Sequence, residues 1–391
     1  WNDEVVIEAL TKKGIALEDA RNYGVIGCVE LTLPGQCNSR TMCNKINLSK
    51  CLELALNDGR CQMSGEQIGP RTGESFDTYE ALHAAYRAQA RHFIRLAMRD
   101  TVRAQRIQAK AFPFPFRSAI TEGCLEAGRD IMDGGAKYNP AGVNLLGIAN
   151  IADSLAAIKL LVFARKRLSL DELREALRSD FEGAEPMRQM LLNEAPKFGN
   201  DDDYVDQIAA EEVAFYCREV AKYRTAEGGP FLPLIFTTSS ASLYNVGPRT
   251  GASADGRRAG QALTTSCNPT HGADRRGATA SASSVAKIDF SDTPGGVSYI
   301  LDLHPTAVSG DGGANKLAAL IRGFFDAGGM EIGLNVYDEA TLRAAQQEPE
   351  RYQGFMVRLF GFSTQFVALS PEQQEFVIER TRHGAATPVG S

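Results

Sequence analysis

Phe231-Leu232-Pro233-Leu234-Ile235-Phe236 is an apolar run closed by Thr237-Thr238-Ser239-Ser240, and it reads as a strand buried on both faces. Upstream, helices are predicted over 46–57, 79–109, 152–165, 170–180 and 204–222, the first two from apolar positions at steps of three and four. The helix at 170–180 follows a capping box, Ser169 to Glu172. Downstream, strands are expected near 297–303 and 331–336 and helices near 338–347 and 350–358. A last helix opens Ser370-Pro371-Glu372-Gln373, where Ser caps, Pro occupies the first turn and Gln closes a second capping box. Helices that alternate with short apolar runs predict the α/β class.

The composition agrees with that class. The chain has 391 residues, 43% of them hydrophobic and 23% charged, enough for a large core and too apolar for a disordered or fibrous protein. Its net charge of -6, with no long block of one sign, gives no reason to expect nucleic acid or an acidic membrane surface as a partner. No apolar run is long enough to span a bilayer, and the start, Trp1 leading into Val5-Val6-Ile7-Glu8-Ala9-Leu10, shows no signal-peptide pattern. A cytoplasmic protein, truncated at its N-terminus, is expected. The eight cysteines include no Cys-x-x-Cys pair, and reduced thiols fit better than disulfides or structural zinc.

Two further features bear on organisation. On the long helix, Arg87, Arg91, Arg95, Arg99 and Arg103 form a stripe expected to face solvent, with His83 and His92 also at the surface. From Gly247 to Asp274 the chain is rich in Gly, Ala, Ser, Thr and Arg and marks a domain boundary, with 1–250 before it and 251–391 after it.

Chemistry is suggested at two places. Tyr23-Gly24-Val25-Ile26-Gly27-Cys28-Val29-Glu30-Leu31 reads as an extended segment, in which residues two apart project to one side and put the Cys28 thiol beside the Glu30 carboxyl. A sulfur centre with an acid-base partner suits hydrogen-atom or nucleophilic chemistry, although a cysteine next to glycine also serves as a small core residue. In Val357-Arg358-Leu359-Phe360-Gly361-Phe362-Ser363 a glycine interrupts an apolar, strand-like run. Such a glycine marks a bulge or a close backbone contact. It is also where a planar α-carbon radical would be stabilised by its flanking amides and shielded by apolar neighbours.

Together these segments resemble the glycyl radical enzymes related to pyruvate formate-lyase. Asp133-Gly134-Gly135-Ala136-Lys137-Tyr138-Asn139, Ser253-Ala254-Asp255-Gly256-Arg257-Arg258-Ala259-Gly260 and Gly328-Gly329-Met330-Glu331-Ile332-Gly333-Leu334-Asn335-Val336 are similar to that family's recurrent segments, in the family's order. Family members are about twice as long, so the chain resembles their C-terminal half. The residues around Gly361, Leu359-Phe360 before it and Phe362 after it, depart conservatively from the family's usual Val-Ala or Val-Ser and Tyr.

The resemblance implies half of a ten-stranded α/β barrel, made of the C-terminal part of the pyruvate formate-lyase-like domain (1–250) and a glycine radical domain (251–391). It implies a radical stored on Gly361, installed by a separate radical S-adenosylmethionine activase, with no other cofactor and no metal bound. It further implies an anaerobic lyase in which Cys28 becomes a thiyl radical, a small-molecule substrate, and a homodimer when the protein is full length. Cys-Val-Glu at 28–30 places the chain with the dehydratases, carbon–nitrogen and carbon–sulfur lyases and arylacetate decarboxylases, with Glu30 as general base. Elimination on a hydroxylated substrate is favoured over arylacetate decarboxylation and over a non-catalytic radical carrier. Where glycerol-dehydratase-like members carry a His-Asp pair, this chain has Thr41-Met42. Met42, Cys37 and Cys43 would then form a less polar wall, which argues against glycerol. His304 follows a strand and is read either as reaching the pocket or as a satisfied buried histidine.

Overall fold

The computed structural model describes residues 1–359, 361–380 and 382–384. An antiparallel hairpin near the start pairs β1 (Gly24–Ile26) with β2 (Glu30–Thr32). Then β3 (Arg40–Asn47), β4 (Ala141–Leu146), β5 (Phe231–Ile235) and β6 (Gly296–Val297) make a parallel sheet in the order β3-β4-β5-β6. Every residue of β4 and β5 is buried, as parallel strands covered on both faces require. The cover includes the helix Ile148–Ala157, buried at all its positions, and Asp203–Val220, whose Tyr216 hydroxyl donates 2.7 Å to the Val143 carbonyl in β4.

Next, β7 (Ile300–Leu303) and β8 (Gly333–Val336) pair in parallel. An antiparallel hairpin of β9 (Met356–Arg358) and β10 (Ser363–Gln365) follows, and β11 (Arg382–His383) adds to β7, giving the order β11-β7-β8. The segment 296–303 serves both parallel sheets. Ser298 N–H donates to Ile235 in the first (3.2 Å), and the Tyr299 carbonyl accepts from Gly333 in the second (2.8 Å). The α/β class is therefore observed, with two parallel sheets that share one stretch of chain. A separate apolar cluster, with Val29, Phe236, Val357, Leu359, Phe366 and Val377, packs both hairpins together.

Several expectations need correction. Ile46 and Asn47 finish β3, and the helix begins at Leu48 because the Asn47 side chain accepts from Lys50 N–H and caps it. The helix expected at 152–165 starts at Ile148 and passes into a π-helical turn over Ile158–Ala164. Around 350–358 a 3-10 turn (Pro349–Tyr352) leads into β9 in place of a helix. The stretch 247–274 is not an exposed linker. Asp255 accepts from Asn150 (2.7 Å) and Ser253 (2.6 Å), Arg257 donates to the Gln261 carbonyl (2.7 Å), and both side chains are buried. Arg87 and His83 both reach the buried Glu212 carboxylate at 2.7 Å, so the N-terminal part of the arginine stripe is not a free solvated face.

Candidate active site

Cys28 sits in the turn of the β1–β2 hairpin and not in an extended strand, so alternation does not explain its pairing with Glu30. The turn does. Gly27 adopts a left-handed φ of 61°, which glycine takes without strain, and reverses the chain. Glu30, only 2% exposed, folds its carboxylate back over the turn. Its Oε2 accepts from the amides of Cys28 (2.7 Å) and Val29 (2.9 Å). A β-carbon at Gly27 would lie 2.7 Å from that same oxygen, a second reason for glycine there.

The β9–β10 hairpin brings Gly361 to this turn. A β-carbon on Gly361 would overlap the α-carbon, carbonyl carbon and carbonyl oxygen of Cys28, so only glycine fits. Burial and the Glu30 charge push the thiol's pKa above its ordinary value, against weaker opposing effects of Gly361 and Arg358. The sulfur is thus held as S–H, a hydrogen-atom donor more than a thiolate nucleophile.

The structure brings Cys28, Glu30 and Gly361 together. The other sequence candidates lie elsewhere or play other parts. His304 caps the short helix Pro305–Val308, with Nδ1 accepting from Thr306 N–H. Cys37 is buried, and the Cys43 thiol donates to the Arg40 carbonyl (3.4 Å). Of the expected wall, Met42 alone exposes more than a third of its surface (37%), at a left-handed φ of 48° within a register shift of β3. Among the described residues no group of three or more His, Cys, Asp or Glu side chains is disposed to hold a metal ion. No helix of the described residues is long and apolar enough to cross a membrane.

Sequence reasoning missed the residues that hold the glycine hairpin. Asn335 in β8 accepts from Arg358 N–H (2.7 Å) and donates both to the Arg358 carbonyl (2.9 Å) and to Asp302 Oδ1 (2.6 Å). Arg380 donates to the carbonyls of Arg358 and Leu359, both at 3.4 Å. Asn335 lay in a segment already marked by resemblance, but nothing in the sequence tied it to Gly361.

Comparison with known proteins gives two family matches, pyruvate formate lyase-like over residues 1–245 and glycine radical over 263–367. The trans-4-hydroxy-L-proline dehydratase of Clostridioides difficile is 36% identical over 97% of this chain and 48% of its own length. The (2S)-3-sulfopropanediol dehydratase of Klebsiella oxytoca is 34% identical, covering 97% of this chain and 47% of the relative. A solved structure, the glycerol-bound B12-independent glycerol dehydratase from Clostridium butyricum, superposes with a TM-score of 0.94 at 40% identity, over 98% of this chain and 48% of that one. The chain spans about half the length of the relatives it matches.

Proposed function

We propose a function from one premise: this chain belongs to the pyruvate formate lyase-like family of glycyl radical enzymes. The reading is a radical lyase that eliminates a leaving group from a small hydroxylated substrate. The contact between Gly361 and the backbone of Cys28 carries it, since a radical stored on the one would lie against the residue that bears the thiol. The two family matches, over 1–245 and 263–367, support a division into a pyruvate formate-lyase-like part, 1–250, and a glycine radical part, 251–391. In this reading the protein works in an anaerobic cytoplasm, pairs as a homodimer when complete, and depends on a radical S-adenosylmethionine activase that removes a hydrogen atom from Gly361.

The steps then balance. The Gly361 radical takes the hydrogen atom of Cys28 S–H, leaving a thiyl radical. The thiyl takes hydrogen from a substrate carbon that bears a hydroxyl. Glu30 accepts the hydroxyl proton, and the neighbouring group departs with its bonding electron pair. The resulting carbonyl radical recovers hydrogen from Cys28 S–H, and the sulfur radical regains hydrogen from Gly361. A thiol kept protonated favours the two transfers in which Cys28 gives up its hydrogen. One Glu30 oxygen grips the turn, and the other remains for the substrate hydroxyl. The relatives named above act on trans-4-hydroxy-L-proline and (2S)-3-sulfopropanediol by their names, which supports a hydroxylated substrate. Met42, exposed where glycerol-dehydratase-like proteins carry an aspartate, supports a substrate with fewer hydroxyls than glycerol.

The test is anaerobic activation followed by assay of hydroxylated amines, sulfonates and diols for an aldehyde or ketone product. Carbon dioxide from an arylacetate, with no carbonyl product from any hydroxylated compound, overturns elimination in favour of decarboxylation.

A further inference from the structure

We propose that Asn335, Asp302 and Arg380 form a positioning network that sets the separation between Gly361 and Cys28. This rests on the reading of Gly361 as radical store and Cys28 as relay.

The glycine hairpin is short. Its β9 and β10 segments have three residues each, and the Leu359 N–H to Phe362 carbonyl bond (3.1 Å) closes the turn. An isolated two-stranded hairpin is marginal in water, so the reach of its tip depends on what holds its base. Here the base is held from two sides. Asn335 presents its amide as a peptide would, taking the N–H of Arg358 and bonding the carbonyl of the same residue. Its carboxamide is turned that way by Asp302, to which Nδ2 also donates. Arg380 comes from beyond the hairpin and bonds that same Arg358 carbonyl and the next one along, of Leu359. Asp302 Oδ2 faces Arg380 Nη1 at 3.8 Å, and both side chains are buried. The carboxylate therefore holds its amide partner by hydrogen bond and its guanidinium partner by charge.

The arrangement costs more than apolar packing would. A buried carboxylate and a buried guanidinium are each taken out of water, and a well-packed apolar replacement of such a pair is often neutral or stabilising. What the polar groups add is direction. Asn335 and Arg380 converge on backbone groups of Arg358 and Leu359, just before the glycine, and Asp302 stands behind both of them; the strands that carry Asp302 and Asn335 are neighbours in one sheet, Asp302 opposite Asn335 in register. The strand β11, just after Arg380, pairs with β7 on its other side, Arg382 opposite Asp302. The hairpin that carries Gly361 is thereby referenced to the β7–β8 sheet, and the Cys28 turn is referenced to β6, since Leu31 N–H bonds the Gly295 carbonyl (3.2 Å). Because β6 and β7 are one continuous segment, the two reacting residues share a frame.

The test reads the relay without substrate. In heavy water the Cys28 thiol becomes S–D. A Gly361 radical that takes this deuterium forms a Cα–D bond as the S–D bond breaks and leaves the unpaired electron on sulfur. The return transfer removes either hydrogen isotope from Gly361. Repetition replaces the remaining α-hydrogen and collapses the doublet of the glycyl signal in electron paramagnetic resonance. With the complete protein, Asn335→Ala should store the radical as the parent does and show collapse slowed by about tenfold or more, since a displacement of about 1 Å at a reacting pair can cost roughly 10²-fold. Asp302→Asn, which keeps the shape and removes the charge facing Arg380, should slow it less. If Asn335→Ala stores no radical, Asp302→Asn decides alone. A variant that stores the radical and collapses as fast as the parent overturns the positioning role. A parent protein that stores no radical with a competent activase overturns the functional reading, and this one with it.

Discussion

Gly361 lies so close against Cys28 that any side chain on it would overlap that residue's carbonyl group and α-carbon. The two meet at hairpin turns that come from opposite ends of the chain, and the sulfur beside the glycine is held protonated. Proximity and the S–H state are what a hydrogen-atom relay requires.

The close fit admits only glycine at 361, and the proposed mechanism stores its radical there. Gly361→Ala should give no carbon-centred doublet after anaerobic activation and no backbone cleavage at that position on exposure to air, both read on one sample by electron paramagnetic resonance and mass spectrometry. The same doublet and the same fragment from the variant would remove the radical from Gly361.

Cys28→Ala should keep the doublet and lose turnover, because the proposed mechanism puts storage and abstraction at different atoms. In heavy water the doublet of this variant should persist, the exchangeable S–H having gone. Collapse at the parental rate would mean that another group relays the hydrogen.

Glu30 grips the turn, and the proposed mechanism adds the duty of a base, which substitution can separate from the first. Glu30→Gln retains an oxygen to accept from the Cys28 and Val29 amides and loses the base, so stability should hold while elimination falls by roughly 10²–10⁴-fold. Glu30→Ala also strips both amides of their partner, which costs about 1–3 kcal/mol for each buried group left unsatisfied. Turnover of Glu30→Gln within about tenfold of the parent would take the base role away from it.

Asp153 predicts a pH dependence of stability far from the site. Burial pushes its pKa up to about 7 despite Lys197 nearby and the 2.7 Å bond from Phe198 N–H. The folded chain thus keeps a proton that the unfolded chain releases from about pH 4 upward. Stability from this group is greatest below that point, falls as pH rises toward 7, and levels off above it. Asp153→Asn should remove this part of the slope, seen as a urea midpoint that changes less than the parent's between pH 5 and 7.5. Parallel curves for the two proteins would show that Asp153 is ionised in the fold.

What the sequence revealed depended on where the information lay. The buried strand at 231–235 and the capped helices at 170–178 and 371–378 were legible, since local patterning and local hydrogen bonds specify them. Cys28 and Glu30 were legible as a pair, but through alternation along a strand, whereas a left-handed Gly27 and a folded-back carboxylate are what join them. The helices Ala278–Ala286 and Gly313–Asp326 went unforeseen, the first built mostly of Ala, Ser and Thr and the second entered through glycine without a side-chain cap. Asn335 and Arg380 were hidden for a different reason. They recognise main-chain groups of Arg358 and Leu359, and backbone atoms leave no mark in residue identity.

The meeting of the two hairpins also dictates an order of assembly. Each closes over a few residues and forms quickly from local contacts, but their junction requires loop closure across nearly the whole of the intervening chain. On the ribosome the cysteine turn emerges long before the glycine that faces it, with both parallel sheets still to be made between them. The pair should accordingly be among the last contacts to form, and a nascent or partly folded chain would carry the thiol and the glycine without the site that the proposed relay needs.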